Sequence, residues 1–346
     1  MSRHVLLVRL DSAGDVLLQG PAVRAVAASA DRVTLLCGPR GREAANLLPG
    51  VDAVLVHRAP WIDPMPEPLD ATETLRLVAR VSALEADEAI VFTSFHQSPL
   101  PTALLLRLAG VPVVGAISPD YPGSLLDVRH DVGDDVHEVE RSLSLAAALG
   151  HRLPAGDDGA LAVVGVEEPP WLELERPYVV VHPGTSVPAR AWPPGRHAAL
   201  VRALAEAGRR VVVTGAPGEA GLTGLVAADS GPGVVDAGGR TSLAQLAGVL
   251  AGAEAVVVGN TGPAHLAAAV GTPVVSLFAP TVPAVRWRPW RVPCILLGDQ
   301  HAPCAGSRAT TCPVPGHPCL DGVRLEDVLA AVEALALPPS RVGAAA

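Results

Sequence analysis

Short, wholly apolar runs of β-forming residues alternate with Ala/Leu/Arg-rich helical stretches along this chain, and that alternation limits its fold more than any other feature. The first half carries Val5–Val8, Val33–Cys37, Val54–Val56, Ala89–Phe92 and Val111–Val114. Helical patterns lie between them, from Val16 to about Ser29, from Thr74 to Leu84 and from Thr102 to Leu108. A strand without a polar face needs cover on both sides, which is the condition of a parallel sheet sandwiched by helices. The rhythm breaks from about Ala155 to Arg176, where Gly, Asp, Glu and Pro cluster as in a linker. It then resumes with strands at Tyr178–Val181, Arg210–Val213, Ala255–Val258 and Val274–Phe278. Helices are predicted at Arg196–Ala207, Glu219–Ala228, Leu243–Leu250 and Pro263–Ala269.

The pattern predicts two doubly wound α/β halves with a ligand cleft between them, an N-terminal domain over 1–160 and a C-terminal domain over 175–325. At 346 residues the chain suits two cores better than one. A closing amphipathic helix, about Leu325–Ala336, is expected to pack back on the body within a 326–346 segment, and residues from Arg341 onward read as frayed.

A net charge of −9 argues against a nucleic-acid partner, which calls for a basic face. No apolar run reaches the roughly 18 residues of a membrane span. Arg9 and Asp11 cut short the apolar run near the N-terminus and no small-residue cleavage site follows, so it reads as a first strand and not a signal peptide. A cytoplasmic, monomeric protein with at most peripheral membrane contact is expected.

The most informative single segment is Gly259–Thr281. A predicted buried strand ends in Gly259-Asn260-Thr261-Gly262-Pro263 and a helix follows at once. Thr261 is a candidate N-cap and Pro263 suits the first helical turn. Amide groups at such a helix start, reinforced by the helix dipole, form an anion site. His265 lies in the same turn and could donate to a phosphate. On spacing alone, an ordinary Gly-rich strand–helix turn accounts for the segment equally well.

The run GNTGPAHLAAAVGTPVVSLFAPT resembles the signature of glycosyltransferase family 9, the heptosyltransferases that use ADP-heptose. Three further stretches resemble family motifs in the right order: HPGTSVPARAWPP at His182–Pro194, VRLDSAGDVLLQGPAVRAV at Val8–Val26, and TSFHQSPLPTALLLRLAGVPVVG at Thr93–Gly115. The resemblance implies a glycosyltransferase-B fold of two Rossmann-like halves, with the donor mainly on the C-terminal half and the acceptor facing the N-terminal one. It implies an inverting glycosyltransferase that uses an ADP-sugar as co-substrate and an acceptor hydroxyl of a glycolipid core or a secondary metabolite. One departure stands out. The family usually has Asp before Thr-Gly, where this chain has Asn260. Asn both accepts and donates, which alters the recognition of a sugar hydroxyl.

Inverting transfer needs a base for the acceptor hydroxyl and stabilisation of the departing diphosphate. Asp15, after Gly14 at the edge of the first strand, matches the family's base; capping the next helix is its alternative role, and Asp11 shares the loop. Asp131, Asp134 and Asp135 read as a solvated acidic loop, and no Asp-x-Asp metal motif lies near a strand end. A metal-independent mechanism is therefore expected, with Arg190, which matches the family's cation before Trp-Pro, gripping the diphosphate. Read without the resemblance, Arg190 is a surface cation on a Pro-bounded loop. Thr185, Ser186, Thr241, Asn260, Thr261, Gly262 and His265 complete a donor-side set. Glu219 suits a ribose or sugar hydroxyl or, equally, a helix cap. Trp192 reads as a packing anchor. Gly14, His96 and Gln97 are placed on the acceptor side.

An epimerase of the same fold that acts on nucleotide sugars, and a binding module without chemistry, are the alternatives. The Pro-rich tail from Trp287 reads as irregular. Within it His301, Cys304, Cys312 and Cys319, with His317 in reserve, could frame a tetrahedral zinc, but their uneven spacing favours reduced thiols or a local disulfide. Cys37 reads as core and Cys294 as a strand residue.

Overall fold

The computed structural model describes residues 3–336. The chain divides between Val164 and Gly165 into two compact units, each built on one six-stranded parallel sheet.

In the first unit the strands are β1 (His4–Arg9), β2 (Arg32–Cys37), β3 (Ala53–Val56), β4 (Glu88–Val91), β5 (Val113–Ile117) and β6 (Val128–His130), in the order β3-β2-β1-β4-β5-β6. The helices are α1 (Ala13–Leu17), α2 (Gly20–Ala27), α3 (Arg42–Leu47), α4 (Ala71–Ser82), α5 (Leu100–Leu108) and α6 (Glu138–Ala148). β1 is buried along its whole length, and Leu6 and Val8 join Leu36, Val91, Leu106 and Val114 in one core. Asp70 caps α4 by accepting from the amides of Thr72 and Glu73.

The second unit repeats the plan with β7 (Tyr178–His182), β8 (Val211–Val213), β9 (Val234–Asp236), β10 (Ala253–Gly259), β11 (Val274–Leu277) and β12 (Cys294–Leu297), ordered β12-β11-β10-β7-β8-β9. Its helices are α7 (Pro194–Glu206), α8 (Ala220–Ala227), α9 (Leu243–Ala251), α10 (Gly262–Ala269), α11 (Ala284–Trp287), α12 (Pro318–Asp321) and α13 (Leu325–Ala336). α13 packs on α7 and on β10, β11 and β12, burying Val328 and Val332. Trp192 is buried in this core.

Both strand orders reverse direction once, between β1 and β4 in the first sheet and between β7 and β10 in the second. In open parallel sheets the crevice outside the strand ends at such a switch point is where ligands bind. No helix among the described residues is long and apolar enough to cross a membrane.

Several predicted boundaries move. The single helix expected from Val16 to about Ser29 is two, α1 and α2, separated at Leu18 and Gln19. Pro21 causes the break, because it has no amide to bond back and its ring collides with the carbonyl four residues earlier. The strand expected at Val111–Val114 starts after Pro112, which cannot donate to the ladder. The helices α3, α6, α11 and α12 and the strands β6 and β9 lie outside the apolar pattern. The tail is less irregular than expected, because β12 pairs in parallel with β11. The predicted linker carries no helix or strand but is anchored, Val164 donating to Leu47 and Glu167 to Ala244. Residues 337–346, including the expected frayed end, lie outside the described residues.

Two histidines tie the second core to pH. His182 ends β7 and His197 lies within α7, edge-on to Trp192 with ring centres 4.9 Å apart. Burial pushes His182 down from 6.5 to about 4, against the pull of Glu219, and pushes His197 down to about 3. The folded values lie below the ordinary one, so the fold favours the neutral rings. Their contribution is complete above pH 6.5 and is lost as pH falls through about 4. The thermal midpoint should therefore drop between those pH values, and His197→Phe, which keeps a ring but cannot titrate, should flatten the drop. A wild-type midpoint independent of pH across that window would refute the assignment.

Candidate active site

At the switch point of the first sheet the polar residues gather around one guanidinium. Arg9, the last residue of β1, is 1% exposed. Its Nη2 lies 2.8 Å from Asp11 Oδ2 and 3.1 Å from Asp15 Oδ1, and donates to Ser94 Oγ at 2.8 Å. Its Nη1 lies 3.8 Å from Glu138 on α6, where Arg141 is also buried. Burial opposes the charge on Arg9, but Asp11, Asp15 and Glu138 more than offset it and hold the guanidinium above its ordinary value. An arginine is tolerated at the end of so apolar a strand only with carboxylates around it.

The two aspartates differ. Asp11 has a 9% exposed side chain and accepts from Gln97 Nε2 at 2.5 Å and from Ser94 Oγ at 3.4 Å. Burial pushes its carboxyl up, with Arg9 opposing and Asp15 adding to the rise. Asp15, at the third position of α1, keeps 21% of its side chain exposed. Its Oδ2 accepts from Ser12 Oγ at 2.7 Å and, more loosely, from the Ser12 amide at 3.4 Å, so Asp15 does cap α1 while still facing solvent. Gly14 is buried in α1, and His96 is exposed beside Phe95.

In the second unit the residues expected on the donor side follow the carboxyl ends of four neighbouring strands, β10, β7, β8 and β9. After β7, Gly184 lies under the Glu219 carboxylate; a Cβ at 184 would stand 2.2 Å from Glu219 Oε1. A side chain at 184 would have to push that carboxylate aside. Glu219 follows β8 and accepts from the Ala216 amide at 2.8 Å, so its capping role is real. Thr185 spends its hydroxyl on its own loop, accepting from the Val187 amide at 3.2 Å, while Ser186 is exposed. Arg190 is half-buried on a short 3-10 turn, Pro188–Arg190, which the tail braces through Thr310 and His317, both bonded to Ala189. The same turn abuts Gly259, whose absent Cβ would lie 3.5 Å from the Arg190 carbonyl.

Beyond β10, Thr261 occupies the N-cap position of α10 without a side-chain cap bond, contrary to the expected cap. Its backbone geometry serves, but its hydroxyl does not take the amides of the first turn. Asn260 is 7% exposed and neither end of its amide makes a hydrogen bond among the described residues; the same holds for the hydroxyls of Ser276 and Thr281 at the end of β11. Buried polar groups left without partners mark places where a ligand or ordered water completes the bonding. Gly262 and His265 lie in the first turn of α10, His265 buried. Thr241 is half-buried ahead of α9, next to Arg240, whose guanidinium sits 3.8 Å over the Trp171 ring.

The structure thus joins Asp15, Gly14 and Gln97 in one cluster and lines up Thr185, Arg190, Glu219 and Asn260 along one sheet edge. Arg9, Ser12, Ser94, Glu138 and Arg141 escaped the sequence reading. A signal for Arg9 existed, because a cation continuing a wholly apolar strand needs buried counter-charges. All five cysteines are free thiols, Cys37, Cys304 and Cys319 being buried. Cys304 and Cys312 lie near enough to Cys319 to add to the effect of burial, which pushes that thiol up to about 11. Among the described residues no three His, Cys, Asp or Glu side chains are placed to hold a metal ion.

A model of the glycosyltransferase family 9 (heptosyltransferase) domain matches residues 75–317. Lipopolysaccharide heptosyltransferase 1 of Pseudomonas aeruginosa is 31% identical over 321 residues, covering 89% of this chain and 87% of that protein. The chain belongs to glycosyltransferase family 9. Solved structures agree on the fold. A family 9 glycosyltransferase from Veillonella parvula superposes with a TM-score of 0.77 at 17% identity, over 96% of this chain and 97% of that one. E. coli ADP-heptose lipopolysaccharide heptosyltransferase II gives 0.73 at 20% identity, over 97% and 98%. The two parallel sheets are those of the glycosyltransferase-B fold, and the protein is a glycosyltransferase.

The Gly184–Glu219 contact can be isolated in this glycosyltransferase. Gly184→Ala should lower the urea midpoint by displacing Glu219 from the Ala216 amide, at a cost of about 1 kcal/mol for the lost hydrogen bond. In a Glu219→Ala background the same change should be nearly neutral. Equal costs in both backgrounds would show that the two residues are not coupled.

Proposed function

We propose that the protein is an inverting, metal-independent glycosyltransferase that moves a heptose, or a related sugar, from an ADP-sugar to an acceptor hydroxyl. The observation that carries the proposal is the asymmetry at the first switch point, where Asp15 is the more exposed of two carboxylates held by one buried arginine. Asp11, saturated by Gln97, Ser94 and Arg9, is the poorer base. Asp15 takes the proton of the acceptor hydroxyl as its oxygen bonds to the anomeric carbon, and the bond from that carbon to the diphosphate breaks. The electron pair leaves on the diphosphate. Arg190 and the α10 start at Thr261–Gly262 offset that charge in place of a divalent ion. Glu219, Asn260, Thr185, Ser186, Thr241 and His265 hold the rest of the donor, and Gly14, His96 and Gln97 face the acceptor. The names of the relatives support a lipopolysaccharide core as acceptor, with a secondary metabolite as the other choice. The enzyme acts as a monomer in the cytoplasm.

Asp15→Ala should lower kcat about 10²–10⁴-fold in a transfer assay with ADP-heptose, the contribution of a positioned base, while the donor Kd by calorimetry stays unchanged. Undiminished turnover would remove Asp15 from the mechanism. Isomerised sugar formed without an acceptor would favour the epimerase reading instead. In a thermal-shift panel of ADP-, GDP-, UDP- and dTDP-linked sugars, the ADP-sugar should stabilise most; stabilisation by another base alone would overturn the donor assignment.

A further inference from the structure

We infer that Arg9 is a positioning residue for the transfer step: its buried guanidinium orients the Asp15 carboxylate and supplies the positive charge that keeps it ready to accept a proton. This rests on the reading of Asp15 as the base. Arg9 does more than neutralise a strand end. One nitrogen, Nη2, reaches Asp11, Asp15 and Ser94 within 2.8–3.1 Å, and so ties the turn after β1, the start of α1 and the segment after β4 to a single point. Asp15 is then held at both oxygens, Oδ1 by Arg9 and Oδ2 by Ser12. A carboxylate fixed in this way has little freedom to turn, and misplacement of a reacting group by about 1 Å can cost roughly 10²-fold in rate.

The charges around Asp15 show why the cation is needed. On its own stretch stand Arg9, Asp11 and Ser12; Gln97 and Ser94 approach from the segment after β4; Glu138 and Arg141 come from α6. Arg40, Arg42 and Glu43 lie on the turn and helix that pack against α1, with Arg40 and Arg42 exposed. Without Arg9, Asp15 would keep Asp11 as a neighbouring negative charge and lose the cation 3.1 Å from its Oδ1. A cation at this range lowers a carboxylate by about 1–3 pH units, so its removal raises Asp15. Activity that needs ionised Asp15 fails as pH falls through its pKa, and the acid limb of kcat/KM therefore moves to higher pH.

The test compares Arg9→Met, Arg9→Lys and Asp15→Ala in the full-length enzyme, using ADP-heptose transfer across pH, donor Kd and circular dichroism. Arg9→Met should lose roughly 10²-fold in kcat and shift its acid limb up by about one pH unit or more, with donor Kd unchanged. Arg9→Lys keeps the charge but not the fork, and should lose kcat while its acid limb stays in place. Folded Arg9→Met with the wild-type kcat and limb, while Asp15→Ala is inactive, overturns the role of Arg9 and leaves the base intact. An active Asp15→Ala overturns both. Should Arg9→Met fail to fold, Arg9→Lys decides: wild-type kcat refutes the positioning role, and a lowered kcat with unchanged donor Kd and acid limb supports it.

Discussion

A strand buried on both faces can carry polar chemistry only where it ends. That constraint governs both halves of this molecule. Val5–Val8 in β1 and Val256–Val258 in β10 are fully buried, so neither strand can present a functional group from its interior. The carboxyl ends are different, because there the chain leaves the ladder and backbone amides point outward. The reversal of strand order spreads the helices apart at one place in each sheet and leaves those ends uncovered. Arg9, Asp11 and Asp15 in one unit, and Asn260 to His265 in the other, occupy that place. The chemistry is located by the packing rule before any individual residue is chosen.

The same rule explains what could be read from the residues alone. Runs such as Val179–Val181 and Val211–Val213 declare themselves because nothing else in a protein is so uniformly apolar. Edge strands β6 and β9 carry Arg129, His130 and Asp236 and are only partly buried, so they give no comparable signal. α6 was hidden for a different reason. Its first residue, Glu138, and its Arg141 look like the surface of a solvated loop, and become intelligible only when Arg9 is seen to face them. Long-range charge pairing leaves no periodicity in a sequence. The motifs that announced the family are, by contrast, local, since each is a strand end followed by a turn.

Glycine positions show how close the local and long-range demands can come. Gly184 follows a buried strand and reads as part of a turn, yet its backbone is not in the left-handed region. What a side chain there would have to displace is the carboxylate of Glu219, 35 residues further along. Gly248 is a second case: a Cβ would meet the Glu167 carbonyl at 2.0 Å, so a helix glycine admits the chain segment that begins the second unit. Neither glycine serves flexibility. Both are contact surfaces for another part of the chain.

Negative charge is managed in two physically distinct ways in the two units. Around Arg9, permanent carboxylates are gathered about a buried cation, which fixes their geometry at the expense of desolvating several ions. The α10 start itself offers dipoles and no carboxylate, because its first turn is free of acidic residues and the Thr261 hydroxyl makes no cap bond. A preformed set of dipoles suits a charge that arrives with a ligand and departs with it. Asn260 fits that logic. Its amide is buried without a hydrogen bond among the described residues, and a carboxylate in the same position would carry a desolvated charge there or have to take up a proton. On the donor reading proposed above, the neutral amide keeps an acceptor oxygen for a sugar hydroxyl while avoiding most of that penalty when the site is empty. Its N–H groups must then find acceptors of their own, which on the same proposed reading a sugar hydroxyl able both to give and to receive would supply.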